Sequence, residues 1–158
     1  MESGISQLAE RSLPHRDPFL WVSRLVERSE DGLSGSVELD VSEKLDLFQG
    51  HFPGNPVFPG VIQIEFAAQA CLWVFMGELP KDSELPQVLF RGIESFKFKK
   101  AVKPPAVLTA KVKCEATRSG GYYKWKCEIF QGDELMSLGV VSNLLLSSPN
   151  KEHSQRGL

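Results

Sequence analysis

The sequence predicts an α+β fold in which an antiparallel sheet wraps around one long central helix, and three observations carry that expectation. The run from Val61 to Met76 is apolar on nearly every side of a helical projection, the pattern of a helix buried all round. Beyond it the period changes to two: Leu108, Ala110, Val112, Cys114 and Ala116 alternate with Thr109, Lys111, Lys113 and Glu115, and Tyr123, Trp125, Cys127 and Ile129 alternate with Lys124, Lys126 and Glu128. These are strands with one dry and one wet face. Gly120-Gly121 and Gly132-Asp133 fall where tight turns are needed, so the strands follow one another as a meander. A sheet with one apolar face and a helix that is apolar throughout bury each other best when the sheet curls around the helix.

The elements follow in order. Residues 5–12 read as a short helix with Ile5 and Leu8 on one side, leading into LPHRDPFLWV, where Pro14 and Pro18 impose an extended loop. Between Leu33 and Val41, Val37, Leu39 and Val41 share one face and Glu38 and Asp40 the other, as in a half-buried strand. Phe48 to Pro59 is loop, punctuated by Gly50, Pro53, Gly54, Pro56 and Pro59. The helix that follows is a rod of about 24 Å at roughly 1.5 Å per residue, stopped by Gly77 and Pro80. Val88 to Val102 reads as another long strand, with Phe96 and Phe98 opposite Lys97 and Lys99. Leu135 to Leu146 is apolar on both faces and suits a central strand or a subunit contact. Residues 1–146 are expected to form a single domain, and 147–158, SSPNKEHSQRGL, a polar disordered tail.

Composition narrows the function classes. A chain of 158 residues with 42% hydrophobic residues can bury a proper core. A net charge of -2 provides no global attraction to nucleic acid. The longest apolar stretch is interrupted by Gln63, Glu65 and Gln69, and the opening MESGISQLAERS has no apolar signal core, so neither membrane insertion nor export is expected. Cys71, Cys114 and Cys127 lack metal or redox spacing and read as reduced, buried thiols of a cytoplasmic protein.

The chemistry gathers in GHFPGNPVFPGVIQIEFAAQA, residues 50–70. Glu65 and Gln69, four apart, share a helix face. Burial among apolar residues disfavours a charged carboxyl and is expected to raise the Glu65 pKa, preparing it as a proton donor that Gln69 orients without adding charge. His51, in the loop feeding the helix, carries the side chain best suited to take and return a proton near neutrality. Gly60 opens the helix, where unsatisfied N–H groups face a developing oxyanion. Spacing alone leaves other readings open: Glu65 as a structural carboxyl paired with an arginine, His51 as the cap of a turn. His15 reads as structural or interfacial, and His153, in the polar tail, has no assigned function.

Three segments in order, LPHRDPFLWVSRL, GHFPGNPVFPGVIQIEFAAQ and FRGIESFKFKKAVKPPAVL, resemble those of the hotdog-fold 3-hydroxyacyl-[acyl-carrier-protein] dehydratases of the short fatty-acid-synthesis type. The resemblance covers most of the chain. It implies a hotdog fold, with His51 as the catalytic histidine, Glu65 as the catalytic acid, Gly60 and Val61 at the oxyanion and substrate-binding position, and Gln69 supporting the acid. It further implies removal of water from a 3-hydroxyacyl thioester to give the trans-2-enoyl thioester, without metal or organic cofactor. The expected partner is an acyl carrier protein presenting its chain on phosphopantetheine. The site would form between the protomers of a homodimer, and dimers would assemble further into a hexamer. Glu65, where isomerising relatives commonly carry aspartate, implies dehydration alone.

The chain departs from the family pattern in two places. Val22-Ser23-Arg24 stands where many members read VDR, and Ala101-Val102-Lys103-Pro104-Pro105-Ala106 where they read PVVPGD. Both departures lie away from the acid-base pair and bear on tunnel shape and substrate choice, in keeping with a divergent member serving a fatty-acid or a related lipid or polyketide-like pathway. Arg91, Lys97, Lys99, Lys100 and Lys103 concentrate positive charge around one strand, either guarding a sheet edge or forming a landing patch for an acidic carrier protein. Two rival functions remain at this level. A hotdog acyl thioesterase would share the fold but need no base for C2, and a non-catalytic acyl-binding subunit would not need the pair.

Overall fold

The computed structural model describes residues 4–146; the expected polar tail, 147–158, lies outside the described residues. Its element order is α1 (Gly4–Ser12), β1 (Arg24–Arg28), β2 (Ser34–Val41), α2 (Gly60–Met76), β3 (Val88–Phe98), β4 (Ala106–Arg118), β5 (Tyr122–Gln131) and β6 (Glu134–Leu145), with a 3-10 turn at Asp46–Gln49. The strands form one sheet in the order β1-β2-β4-β5-β6-β3, antiparallel throughout. All six touch α2, so the sheet wraps the helix as the sequence predicts. No described helix is long and apolar enough to cross a membrane.

The alternating strands put their apolar sides on the helix. Val37, Leu39, Leu108, Ala110, Val112, Trp125, Cys127 and Ile129 are buried and meet Phe66, Ala70, Trp73 and Val74 of α2 in one core. Removing a large side chain from water contributes roughly 1.5–3 kcal/mol, so this layer carries most of the stability. In the three-residue loop between Arg118 and Tyr122, Gly120 and Gly121 both have positive φ, 84° and 80°, a left-handed conformation that glycine adopts without strain. Strand β6 lies between β5 and β3, the interior position expected of it. Cys71 and Cys127 are buried and neighbours, with Sγ atoms 3.5 Å apart, while Cys114 is partly exposed.

Several expectations need correction. Strand β1, RLVER, has little alternation because it is a short edge strand with four of its five residues exposed. It ties α2 in place instead: Arg28 donates from Nε to Val74 O (2.6 Å) and from its terminal amine to Phe75 O (3.2 Å), placing a cation on the carbonyls that end a helix. Strand β3 ends at Phe98 rather than Val102 and is bulged twice, between Phe90 and Gly92 and between Glu94 and Lys97. Within one subunit α2 is not buried all round. Val61, Ile64, Glu65 and Ala68 fall outside the buried set, at the spacing of one helix face, whereas residues 69–74 are all buried. The sheet closes over the far end of the helix and leaves part of its beginning uncovered.

Candidate active site

His51 follows the 3-10 turn, its N–H bonded to Leu47 O at 3.0 Å. Nδ1 lies 2.6 Å from the carbonyl oxygen of Val57. A carbonyl can only accept, so Nδ1 carries a hydrogen, and in the neutral ring this leaves on Nε2 the lone pair a base needs. Phe52, at a positive φ of 56°, turns its ring edge-on to the imidazole at 4.7 Å. Both residues line an open groove of about 560 Å³ with Gly60, Val61, Phe98 and Lys99.

Gly60 owes its identity to this groove. A Cβ there would lie 2.8 Å from the Phe98 ring, so glycine alone lets the ring rest against the helix start. Its amide belongs to the first turn, where N–H groups have no intrahelical acceptor. Gln63 fixes that turn from beneath: its Oε1 accepts from the Ser137 hydroxyl at 2.8 Å and its Nε2 donates to Phe58 O at 3.4 Å.

Glu65 points elsewhere. Five residues beyond Gly60 on a helix is about 140° around its axis, and Glu65 lines a second, smaller cavity of about 70 Å³ with His15, Gln69, Ala68, Phe90 and Asn143. Gln69 holds the carboxylate as expected: Nε2 donates to Glu65 Oε1 at 2.9 Å and to Phe19 O at 2.9 Å, and Oε1 accepts the Trp21 N–H at 2.8 Å. With both amide hydrogens and the carbonyl engaged, the Gln69 side chain has one orientation. The backbone of the loop after α1 thus grips Gln69, and Gln69 in turn holds the acid.

The expected rise in the Glu65 pKa is not found. The carboxyl is lowered from its ordinary value of 4.5, chiefly by a hydrogen bond from His15; desolvation, the next largest influence, raises it, and Gln69 lowers it again. His15 Nε2 stands 3.4 Å from Glu65 Oε1, and each side chain is one-quarter exposed. Burial at this level is too shallow to outweigh two donors aimed at the carboxylate. No local spacing pairs residue 15 with residue 65, so the contact was invisible in the pattern; the LPHR segment was the only pointer.

Within one subunit, then, His51, Gly60 and Val61 open into one cavity and Glu65 and Gln69 into another. Of the basic residues, Lys99 and Lys100 line the His51 groove, with Lys100 ion-paired to Glu134. Lys97 and Lys103 are exposed nearby in the chain, and Arg91 lies apart, in a separate groove beside Arg118 and Tyr122.

Comparison with known proteins bears on the fold and the family. Residues 27–139 match the ApeI-like family, ApeI dehydratase. The 3-hydroxyacyl-[acyl-carrier-protein] dehydratase FabZ of Alkaliphilus metalliredigens is 35% identical over 143 residues, 90% of this chain and 94% of the relative. That of Natranaerobius thermophilus is 38% identical over 135 residues, 85% and 92% of the two chains. Among solved structures, the dehydratase heterocomplex ApeI:P of Xenorhabdus doucetiae superposes with a TM-score of 0.72 at 16% identity, covering 89% of this chain and 91% of the other, a likeness of fold. Sequence match over most of the chain and the shared architecture together make this chain a member of the hotdog-fold 3-hydroxyacyl-[acyl-carrier-protein] dehydratases.

Proposed function

We propose that this chain dehydrates 3-hydroxyacyl-[acyl-carrier-protein] thioesters to trans-2-enoyl thioesters at a site built by two copies of itself, in fatty-acid or related lipid biosynthesis. The observation that carries the shared site is the separation of the pair: His51 and Gly60 face one cavity, Glu65 and Gln69 another. A second subunit that lays its Glu65 cavity over the first subunit's His51 groove would assemble both halves twice, as two-fold symmetry requires. Strand β3 is a sheet edge with Leu89, Phe90 and Ile93 about half exposed, and the partly uncovered start of α2 lies at Val61, 74% exposed. Both surfaces suit burial against a copy, and trimers of such dimers would give the hexamer.

In this site the Nε2 lone pair of His51 removes the C2 proton. The thioester oxygen, bound at the Gly60 amide beside Val61, takes up the charge that develops as C2 is deprotonated. Glu65 of the partner subunit holds the C3 hydroxyl as it departs. The C2 proton ends on His51, the C–O bond breaks at C3 with its electrons on oxygen, and the hydroxyl takes a proton through Glu65 and leaves as water. Lys97, Lys99, Lys100 and Lys103 form a positive approach to the groove for an acidic carrier protein and its phosphopantetheine arm; Lys97→Glu with Lys99→Glu lowers carrier-linked turnover and spares short thioester analogues, and equal loss on both would reject docking there. The three free cysteines accord with a cytoplasmic enzyme.

Mixed dimers test the shared site. His51→Ala and Glu65→Gln homodimers are each expected to lose on the order of 10²–10⁴-fold in enoyl formation. A hybrid of one subunit of each contains one intact site and recovers about half of wild-type turnover, by symmetry of the two sites. No recovery in purified hybrids would reject the two-subunit site.

A further inference from the structure

Glu65 presents a difficulty if it alone must protonate a leaving hydroxyl, because the groups around it hold it as a carboxylate. The proton has another place to reside. His15 projects from the loop after α1 into the same cavity, with Nε2 3.4 Å from Glu65 Oε1, a spacing common in ligand-free active sites whose hydrogen bonds tighten with substrate. Nδ1 of His15 is buried and has no hydrogen-bond partner among the described residues, so the imidazole is bound to its surroundings through the carboxylate. That contact requires the hydrogen on Nε2, directed at Glu65.

The cavity isolates this pair. From α2 it is lined by Gln69, Ala68 and Leu72, from β3 by Val88 and Phe90, and from β6 by Asn143, none of which titrates. Arg16, next in the loop, turns its guanidinium onto the carbonyls of Leu13 and His15 at 2.8 and 2.7 Å and does not line the cavity. The titratable groups facing each other here are His15 and Glu65.

We propose that His15 is the positioning residue and proton store of the acid: its Nε2 proton passes to Glu65 Oε1 as Glu65 delivers a proton to the departing C3 hydroxyl. The balance closes. His51 gains the C2 proton, the C3–O bond breaks with its electrons on oxygen, the His15 proton passes through Glu65 to that oxygen to complete water, Glu65 ends as the carboxylate it began as, and His15 becomes neutral. The cycle resets when His51 releases its proton to solvent and His15 takes one up, its ring being one-quarter exposed. The inference rests on the reading of Glu65 as the group that meets the leaving hydroxyl.

The test is the pH dependence of kcat and KM for wild type, His15→Gln, His15→Ala and Glu65→Gln on one 3-hydroxyacyl carrier thioester. Glutamine retains a donor toward Glu65 but stores no transferable proton. His15→Gln is expected to lower kcat on the order of 10²-fold near neutrality, with KM changed less than about twofold, since the loss falls on the transition state. The shape distinguishes the role. With Glu65 dependent on bulk protons, kcat of His15→Gln rises about tenfold for each pH unit of acidification, while wild type, supplied by the histidine, rises less steeply. A uniform loss parallel to wild type, or full activity in His15→Gln, overturns the relay. Full activity in Glu65→Gln instead overturns the reading of Glu65 itself.

If the His15 variants misfold, NMR on wild type decides. The Glu65 carboxyl resonance, identified by its absence in Glu65→Gln, titrates in a step shared with the His15 ring if the two are coupled; independent steps overturn the proposal.

Discussion

The two ends of α2 are built for different tasks. From Gln69 to Val74 every residue is buried, Trp73 is 1% exposed, and the last carbonyls are closed by Arg28. From Gly60 to Ala68 polar and apolar residues mix, one face stays partly open, and three side chains there, Gln63, Glu65 and Gln69 at its border, are held by loops or by another strand. One helix thus serves as the pillar of the fold at one end and as the platform of the site at the other. Rigid support for the pair comes from the sealed end, while reach toward substrate comes from the open one.

Trp73→Ala probes the sealed end with the largest expected effect. Truncating a fully buried Trp costs about 3–5 kcal/mol, and thermal unfolding at fixed protein concentration should fall by roughly 10 °C or more, with kcat of the surviving folded enzyme near wild type. A selective loss of kcat without loss of stability would erase the division of labour. Gly60→Ala asks the reverse at the open end. The new Cβ meets the Phe98 ring, and displacing the helix start by even a fraction of an ångström misplaces the amide proposed to hold the oxyanion. Turnover is expected to fall on the order of 10²-fold with stability changed by about 1 kcal/mol. Adding Phe98→Leu should restore part of the turnover, since it removes the ring that the methyl meets; no restoration would mean that the glycine serves something other than this contact.

The sealed end was legible in the sequence because its physics is periodic. A sixteen-residue, mostly apolar run with a glycine stop, and strands alternating at period two, can be read from local order alone, and they fix which faces meet. Strand β1 was not legible, since an exposed edge strand has no dry face to alternate, and its main contribution, Arg28 on the end of α2, joins residues 46 and 47 positions apart. The open end was half legible. His51, Gly60, Glu65 and Gln69 lie within one motif, and the Gln69 to Glu65 bond follows from their spacing of four. What the pattern could not carry was the environment of the acid. Burial inferred from apolar neighbours predicted a raised pKa, but the neighbours along the helix are not the neighbours in space: His15 comes from a loop fifty residues earlier, the same loop whose Phe19 and Trp21 backbone fixes Gln69, and its hydrogen bond to the carboxylate reverses the sign.

That reversed sign yields the smallest predicted effect and the sharpest contrast between the two ends. A carboxyl whose pKa is depressed by folding stabilises the native state at any pH above its unfolded value, near the ordinary 4.5, and this contribution disappears as pH falls through the lower folded value. Glu65→Gln has no such group. The stability of wild type minus that of Glu65→Gln, taken from urea unfolding at a series of pH values, is therefore expected to decline as pH falls from the unfolded carboxyl value toward the lower folded one. Because both His15 and Glu65 remain one-quarter exposed, solvent screening keeps the change small. The same subtraction for Trp73→Ala should be flat across that range, since no titrating group distinguishes it from wild type. A Glu65 difference that grows on acidification would mean that the fold favours the protonated carboxyl, and that the acid is prepared by desolvation after all rather than by the histidine beside it.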